Sequence, residues 1–334
     1  MITEGKAKLD VKTQKTVSKK MDVFYNPVME LNRTISIMIL NNLNNKNLQI
    51  ALPLAGSGVR GVRFLLELKK GIIKNISFND MDKQAILKIT KNLDINDISP
   101  SKVYISNDDA NIFLLNSTGF DYIDIDPFGS PNFLLDSAVK RLSRRGILAV
   151  TATDTSNLAG TFAKACKRKY WATPLRNEIM HEIGIRILIR KIQLIGAQFD
   201  KALTPIYSYS KDHYYRVFFS CEKGKTKVDE ILKQHGHFEN AGPIWLGKLW
   251  DTKLAAKIAE FPMLKTIADE SKINTVGFYH IPSLAKKYNL HSIPKQEKII
   301  SAIKKKGFKV AITHFKENSI RSNIPEKKLI QLLS

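Results

Sequence analysis

Residues 48–154 alternate between short apolar runs and amphipathic stretches, and this alternation constrains the fold more than any other feature of the chain. LQIALPL (48–54), IKNISFND (73–80), KVYISND (102–108), FDYIDID (120–126) and GILAVTATD (146–154) read as strands. Between them VRGVRFLLELKKG (59–71), DKQAILKITKNL (82–93) and SPNFLLDSAVKRLS (130–143) place apolar residues at helical spacing, and a short helix is expected after the third strand. Strands joined through helices form a parallel sheet with right-handed crossovers.

The flanks extend this α/β pattern. Residues 1–25 are basic and irregular, with a short hairpin expected among them. Asn26-Pro27 predicts an N-cap followed by proline at the first helical position, continued by Val28, Leu31, Ile35 and Met38. A long helix is expected from Thr173-Pro174 to about Gln198, with Ile179, Ile183 and Ile187 along one stripe. Residues 201–224 read as two strands about a Lys211-Asp212 turn, an antiparallel pair that ends the sheet. Tyr207, Tyr209, Tyr214 and Tyr215 alternate along these strands as packing residues. A domain boundary falls near residue 225, leaving 226–334 as a smaller α+β domain.

No run of 18 apolar residues occurs, so no membrane span is expected. The lysine-rich start lacks the apolar core of a signal peptide, so a cytoplasmic protein is expected. Two cysteines, Cys166 and Cys221, exclude a disulfide framework. They also cannot supply a structural zinc site of about four ligands. His235 and His237 read as solvated loop residues, and no metal is expected. The net charge is +22, from 53 Lys and Arg against 31 Asp and Glu. Thermophilic enrichment raises Glu along with Lys, which has not happened here. A polyanionic partner, nucleic acid before membrane, fits the excess.

LPLAGSGVRGVRF places Gly56, Gly58 and Gly61 as G-x-G-x-x-G between a strand and a helix. Glycine there lets the backbone approach a ligand and the helix pack on the strand. Asp80 ends the second strand, 24 residues beyond Gly56, where an acid can grip ribose hydroxyls. Asp108-Asp109-Ala110 ends the third, where an adenine-binding acid can sit. Three strand ends converging on one crevice suit a nucleotide-like ligand at the carboxyl edge of an open sheet. A nicotinamide dinucleotide and S-adenosylmethionine both fit this half-site.

The fourth strand separates them. It ends on Asp126, followed at once by Pro127, Phe128 and Gly129. A dehydrogenase has no evident use for that loop or for the basic excess, whereas methyl transfer to the exocyclic amine of a base uses both. Such an amine is a poor nucleophile, because its lone pair is delocalised into the ring. A carboxylate acceptor on its N–H groups, Asp126, stabilises the charge that develops and can act as general base. Pro127 lacks a competing N–H and can aim a carbonyl at the same amine. Phe128 offers a ring on which a flipped base can stack.

VFYNPVMELNR, LAGSGVRGVRF, FNDMDKQA, DDAN, DIDPFGSP and HYYRVFF, with GPIWLGKLWD and THFKENSIRSNIP nearer the C-terminus, together resemble the archaeal and eukaryotic tRNA (guanine-26) N2-dimethyltransferases. The resemblance runs nearly end to end. It implies a Rossmann-like class I methyltransferase domain over 1–225 and a C-terminal tRNA-binding domain over 226–334. It also implies S-adenosyl-L-methionine as donor and tRNA as partner, with no protein partner and a monomer expected. Arg33 would hold the methionine carboxylate, Asp80 the ribose, and Asp109 with Ala110 the adenine. Asp126 would act on the guanine amine, with Phe24 and Phe128 stacking the base. At least one of Arg60 and Arg63 is expected at the ligand. Some relatives carry a zinc-binding cysteine cluster that this chain lacks, and Pro53-Leu54-Ala55 lacks the acid common in methyltransferases. Two rivals stay open on the motifs alone: an amine methyltransferase for another base of tRNA or for DNA adenine, and a non-enzymatic RNA-binding protein on the same scaffold.

Overall fold

The computed structural model describes residues 1–11, 25–290 and 292–333. A hairpin comes first, β1 (Ile2–Glu4) antiparallel to β2 (Ala7–Leu9). The side chain of Asn26 accepts from the Val28 N–H at 3.0 Å, Pro27 opens a single 3₁₀ turn, and α1 (Glu30–Asn42) runs on from it. The expected alternation then follows as β3 (Leu48–Leu52), α2 (Val59–Glu67), β4 (Ile73–Asn79), α3 (Lys83–Ile95), β5 (Val103–Ser106), α4 (Ala110–Leu115), β6 (Phe120–Ile125), α5 (Leu135–Arg141) and β7 (Leu142–Ala152). Helices α6 (Thr155–Leu158), α7 (Ala163–Tyr170) and α8 (Met180–Ala197) precede β8 (Lys201–Lys211) and β9 (Tyr214–Lys223).

These strands form one seven-stranded sheet in the order β5-β4-β3-β6-β7-β9-β8. The pairs β5–β4, β4–β3, β3–β6 and β6–β7 are parallel, as helix crossovers require. Only Asp212 and His213 join β8 to β9, a connection too short for anything but an antiparallel pair. The strand order reverses direction between β3 and β6, the switch point at which open α/β sheets bind ligands.

The chain forms two compact units. One comprises Met1–Ala152, Ile195–Thr204 and Phe218–Val228; the other comprises Thr153–Leu194, Pro205–Val217 and Asp229–Ser334. In the first, Ile50, Phe78, Tyr122, Ile123, Ile125 and Leu148 are fully buried along the strands. Gly61 brings α2 down onto them, since a Cβ there would lie 2.1 Å from the Phe78 ring. Phe64, on the same helix, meets Tyr122 edge-on at 5.7 Å.

In the second unit the expected long helix starts at Met180, not Thr173. The backbone at Thr173 is extended and exchanges hydrogen bonds with Gly242 at 2.8 and 2.9 Å, and Pro174 supplies no helical donor. Tyr207, Tyr209, Tyr214 and Tyr215 are all buried, as packing requires. The chain continues through α9 (Lys225–Leu232), the hairpin β10 (His235–Phe238) and β11 (Ala241–Trp245), α10 (Thr252–Lys257) and α11 (Pro262–Glu270). It then forms β12 (Tyr279–His280), α12 (Ile281–Lys287), α13 (Gln296–Lys305), β13 (Val310–Ile312), β14 (Ser319–Ser322) and α14 (Glu326–Leu333). Strands β12, β14 and β13 make an antiparallel sheet, and Ile281, Ile299, Ile303, Ile320 and Leu329 build a small α+β core beside it. His235 is not a solvated loop residue. It lies on β10 with its ring bonded to Gln193 at 2.8 Å, and burial brings its pKa down to about 4.

A charge cluster occupies the interior of this unit. Arg321 donates through Nη2 to Glu182 at 2.7 Å and through Nε to Glu270 at 2.9 Å. Arg186 bonds Glu182 at 2.8 Å, and His314 lies 2.7 Å from Glu270. Both carboxylates are fully buried. Among the described residues no helix is long and apolar enough to cross a membrane.

Candidate active site

The carboxyl ends of four adjacent parallel strands build the site. Asn79, the last residue of β4, ties three of them together. Its Nδ2 donates to the Pro53 carbonyl at 3.1 Å and to the Asp108 carbonyl at 3.0 Å, and its Oδ1 accepts from the Asp108 N–H at 3.1 Å. Asn79 is fully buried, so each of these bonds replaces hydration lost on folding.

The glycine loop lies above β3. Gly56 and Gly58 have φ of 53° and 78°, in the left-handed region that a side chain disfavours. A Cβ on Gly58 would also press on Ile89 of α3 at 3.0 Å. Asp80 fastens the loop: Oδ2 accepts from the Gly56 N–H at 2.8 Å, and Oδ1 accepts from the Asp82 N–H at 3.0 Å. Asp109 caps α4, accepting from the N–H groups of Asn111 and Ile112 at 2.8 and 3.3 Å, and Ala110 follows it, buried.

A cleft opens between this loop, the end of β6 and the start of α1. Gly56, Ser57 and Arg60 line it from the loop and α2, Arg33 and Tyr25 from the α1 side, and Asp124 with Asp126 from β6. Arg60 joins two of these walls. Its Nη2 donates to Asp126 Oδ2 at 2.5 Å, and its Nη1 donates to Ser36 Oγ at 3.1 Å and lies 3.4 Å from Asp124. Tyr122 donates to Asp124 at 2.5 Å. Asp126 therefore sits at the strand tip with its orientation set by a buried guanidinium, and its side chain is one-fifth exposed toward the cleft. Pro127 is buried, whereas Phe128 is 43% exposed. Gly129 has φ of 83°, which makes the tight turn.

Arg33 lines the cleft with its guanidinium clasped by Glu4, at 2.7 Å through Nε and 2.5 Å through Nη2. Glu4 also accepts from Arg63 Nη1 and from Tyr25 Oη, both at 3.0 Å. Burial pushes the Glu4 carboxyl up, but the hydrogen bond and charge of Arg33, with Arg63 behind, outweigh it and hold the pKa below the usual value. Burial, with Glu4 adding to it, pushes the Tyr25 hydroxyl up to about 12, so it remains a donor at neutral pH.

Arg33, Gly56, Arg60 and Asp126 thus line one cleft, and Gly58 and Asp80 shape its loop. Arg63 is not among the lining residues. Its donors go to Glu4, to Glu67 at 2.7 and 2.9 Å, and to Thr34 at 3.0 Å. Phe24 lies outside the described residues. Glu4, Tyr25, Asn79 and Asp124 belong to the site although no motif singled them out. Only Asp124 left a signal, two residues before Asp126 and so on the same face of the strand.

The chemistry of the cleft fits S-adenosyl-L-methionine on two observations. Ser57 Oγ is buried at its wall with no hydrogen-bond partner among the described residues, and the left-handed glycines leave the loop backbone open to close approach. Among the described residues no cluster of His, Cys, Asp and Glu could hold a metal ion.

Comparison with known proteins agrees with this geometry. The family model described as N2,N2-dimethylguanosine tRNA methyltransferase matches residues 5–240 and 233–334. A curated tRNA (guanine(26)-N(2)/guanine(27)-N(2))-dimethyltransferase of Aquifex aeolicus is 38% identical, over 99% of this chain and 95% of its own length. A tRNA (guanine(26)-N(2))-dimethyltransferase of Methanocaldococcus jannaschii is 34% identical, over 100% of this chain and 98% of its own. The solved complex of Pyrococcus horikoshii Trm1 with S-adenosyl-L-methionine superposes with a TM-score of 0.91 at 33% identity, covering 100% of this chain and 99% of that one. Together with the strand-end site, these matches place the chain in the N2,N2-dimethylguanosine tRNA methyltransferase family.

Proposed function

We infer that this chain is a tRNA (guanine-26) N2-dimethyltransferase, transferring methyl groups from S-adenosyl-L-methionine to the exocyclic amine of guanine 26. The carrying observation is Asp126, fixed by Arg60 at the tip of β6 beside the glycine-loop cleft. S-adenosyl-L-methionine, when bound, supplies the methyl group. In this reading Asp126 accepts a hydrogen bond from the guanine N2, draws its lone pair out of the ring and stabilises the charge that forms on it. Pro127 offers no competing N–H, and the exposed Phe128 ring stacks on the extruded base. Arg33, oriented by Glu4, faces the methionine carboxylate, Asp80 the ribose, and Asp109 with Ala110 the adenine. Arg63 acts through Glu4, and Phe24 is proposed as a second stacking ring. Residues 226–334 grip the tRNA body, and the protein works as a cytoplasmic monomer.

Incubation with labelled donor and an unmodified tRNA transcript, followed by digestion to nucleosides, tests the reading. N2,N2-dimethylguanosine is expected from position 26 and should vanish from a transcript with adenine there. Label persisting in that transcript would move the target to another base, and absence of transfer would refute the reading.

Two further outcomes bear on it. Asp80→Ala is expected to weaken donor binding more than tenfold, about 1.4 kcal/mol, by removing the ribose acceptor and unfastening Gly56. Asp80→Asn should lose less, since its amide oxygen still accepts from the loop; unchanged affinity of Asp80→Ala by calorimetric titration would remove Asp80 from the site. Binding to tRNA should also fall steeply with salt. Six phosphate contacts would give a log–log slope of roughly −5, and a slope near zero would mean that the +22 charge serves something other than tRNA.

A further inference from the structure

Between Asp154 and Glu178 the chain carries no acidic residue, while Lys164, Lys167, Arg168, Lys169 and Arg176 fall within it. Most of this charge lies on α7, an eight-residue helix held by a very narrow stripe. Only Cys166 and Tyr170 of α7 are buried, four residues apart, and Tyr170 anchors the helix by donating to Asp154 at 2.6 Å. Lys164, Lys167 and Arg168 face outward, and among the described residues none of them has an ion-pair partner. A large exposed aromatic stands at each end: Phe162 is 59% and Trp171 48% exposed.

Trp171 is the unusual residue. It terminates α7 in the left-handed conformation, φ 57° and ψ 36°, where a bulky side chain is strained and glycine is the ordinary choice. Its backbone is held there, the N–H donating to the Lys167 carbonyl at 3.1 Å and the carbonyl accepting from Arg190 at 3.2 Å. The Lys191 ammonium lies 2.9 Å from the ring centroid. That amine supports one face of the indole, and the ring's exposure leaves surface open for a second planar group. An indole displayed among uncompensated cations is the arrangement by which proteins take unpaired nucleotides: cations on the phosphates, base on the ring.

We propose that the Phe162–Trp171 segment is a tRNA docking surface, with Lys164, Lys167 and Arg168 on phosphates and an unstacked base on Trp171. The proposal rests on the reading of tRNA as substrate and names a surface that reading leaves open. Trp171→Gly gives the decisive test, because glycine suits the left-handed cap and the fold should be retained or gain stability. It should weaken binding of unmodified tRNA about fivefold or more, with binding of a fully paired RNA duplex and of donor unchanged. Lys167→Gln/Arg168→Gln should weaken both RNAs and make the salt slope shallower by about 1.4 to 1.8. Of the chain's three tryptophans Trp245 and Trp250 are buried, so acrylamide quenching reports Trp171 and should diminish when tRNA is added. Wild-type affinity in Trp171→Gly, or quenching unaffected by tRNA, would overturn this surface alone. A wild-type protein that binds no tRNA would overturn the functional reading as well. Equal losses on tRNA and duplex in Trp171→Gly would leave only a polyanion patch and remove the stacking role.

Discussion

Asp126→Ala is expected to slow single-turnover methylation by about 10²–10³, the usual effect of deleting one preorganised electrostatic group. Arg60 would keep its bond to Ser36 and its proximity to Asp124, so the wall of the cleft should stand and donor affinity should change little. Asp126→Asn should be milder, since an amide oxygen still accepts from the guanine amine without carrying charge. Phe128→Ala should act mainly on base capture, an exposed ring contributing ~1–3 kcal/mol per stacked base. The measurement is the methylation rate at saturating donor, with tRNA affinity determined separately. If Asp126→Ala keeps more than about half the wild-type rate, the Asp-Pro-Phe-Gly loop is a turn and the amine is activated elsewhere.

Arg321→Met is expected to lower the unfolding free energy by about 3 kcal/mol, because it removes the cation that Glu182 and Glu270 share in a fully buried site and leaves them Arg186 and His314. Replacing all the charged partners with apolar groups of similar volume should cost far less, because no unpaired charge would remain. Acid gives the same network a second signature. Burial pushes the Glu270 carboxyl up, but the charges of Arg321 and His314 prevail and bring it to about 2; burial likewise opposes Glu182, and the charges of Arg321 and Arg186 hold it below its usual value. A carboxylate depressed in the folded state contributes stability above its unfolded pKa and loses it as pH falls through the folded value. Wild-type stability should therefore decline from about pH 4.5 toward about 2, and Arg321→Met should lose much of that dependence. Urea unfolding at several pH values checks both outcomes; a deficit under about 1 kcal/mol at neutral pH would mean that the cluster is hydrated.

The parallel sheet was legible because its period changes sharply, from apolar runs to helical spacing and back. Asp80, Asp109 and Asp126 stand out in the sequence because each follows a strand at the carboxyl edge of such a sheet; Asp126 lines the cleft, Asp80 fastens its glycine loop, and Asp109 caps α4. What reads poorly is anything that depends on pairing across the chain. Glu4 looks like one charge in a polar leader, yet it meets Arg63 across 59 residues. Arg321 lies in the polar run ENSIRSNIP, yet it neutralises Glu182 across 139. Strands of two to four residues, such as β12 and β14, are too short to show a period. Thr173-Pro174 resembled a helix start because local chemistry allows one, and the bridge to Gly242 decided otherwise.

The clasp of Glu4 on Arg33 and Arg63 has a consequence for biosynthesis. Ribosomes make the acid first and the two guanidinium groups later, so Glu4 can clasp Arg33 once α1 has emerged but meets Arg63 only after α2. Docking of the leading hairpin is thus completed in two stages, one for each arginine, and the first of them sets the wall that carries Arg33. A nascent chain stalled before Arg63 would hold the hairpin by half its ionic ties and present an unfinished donor cleft.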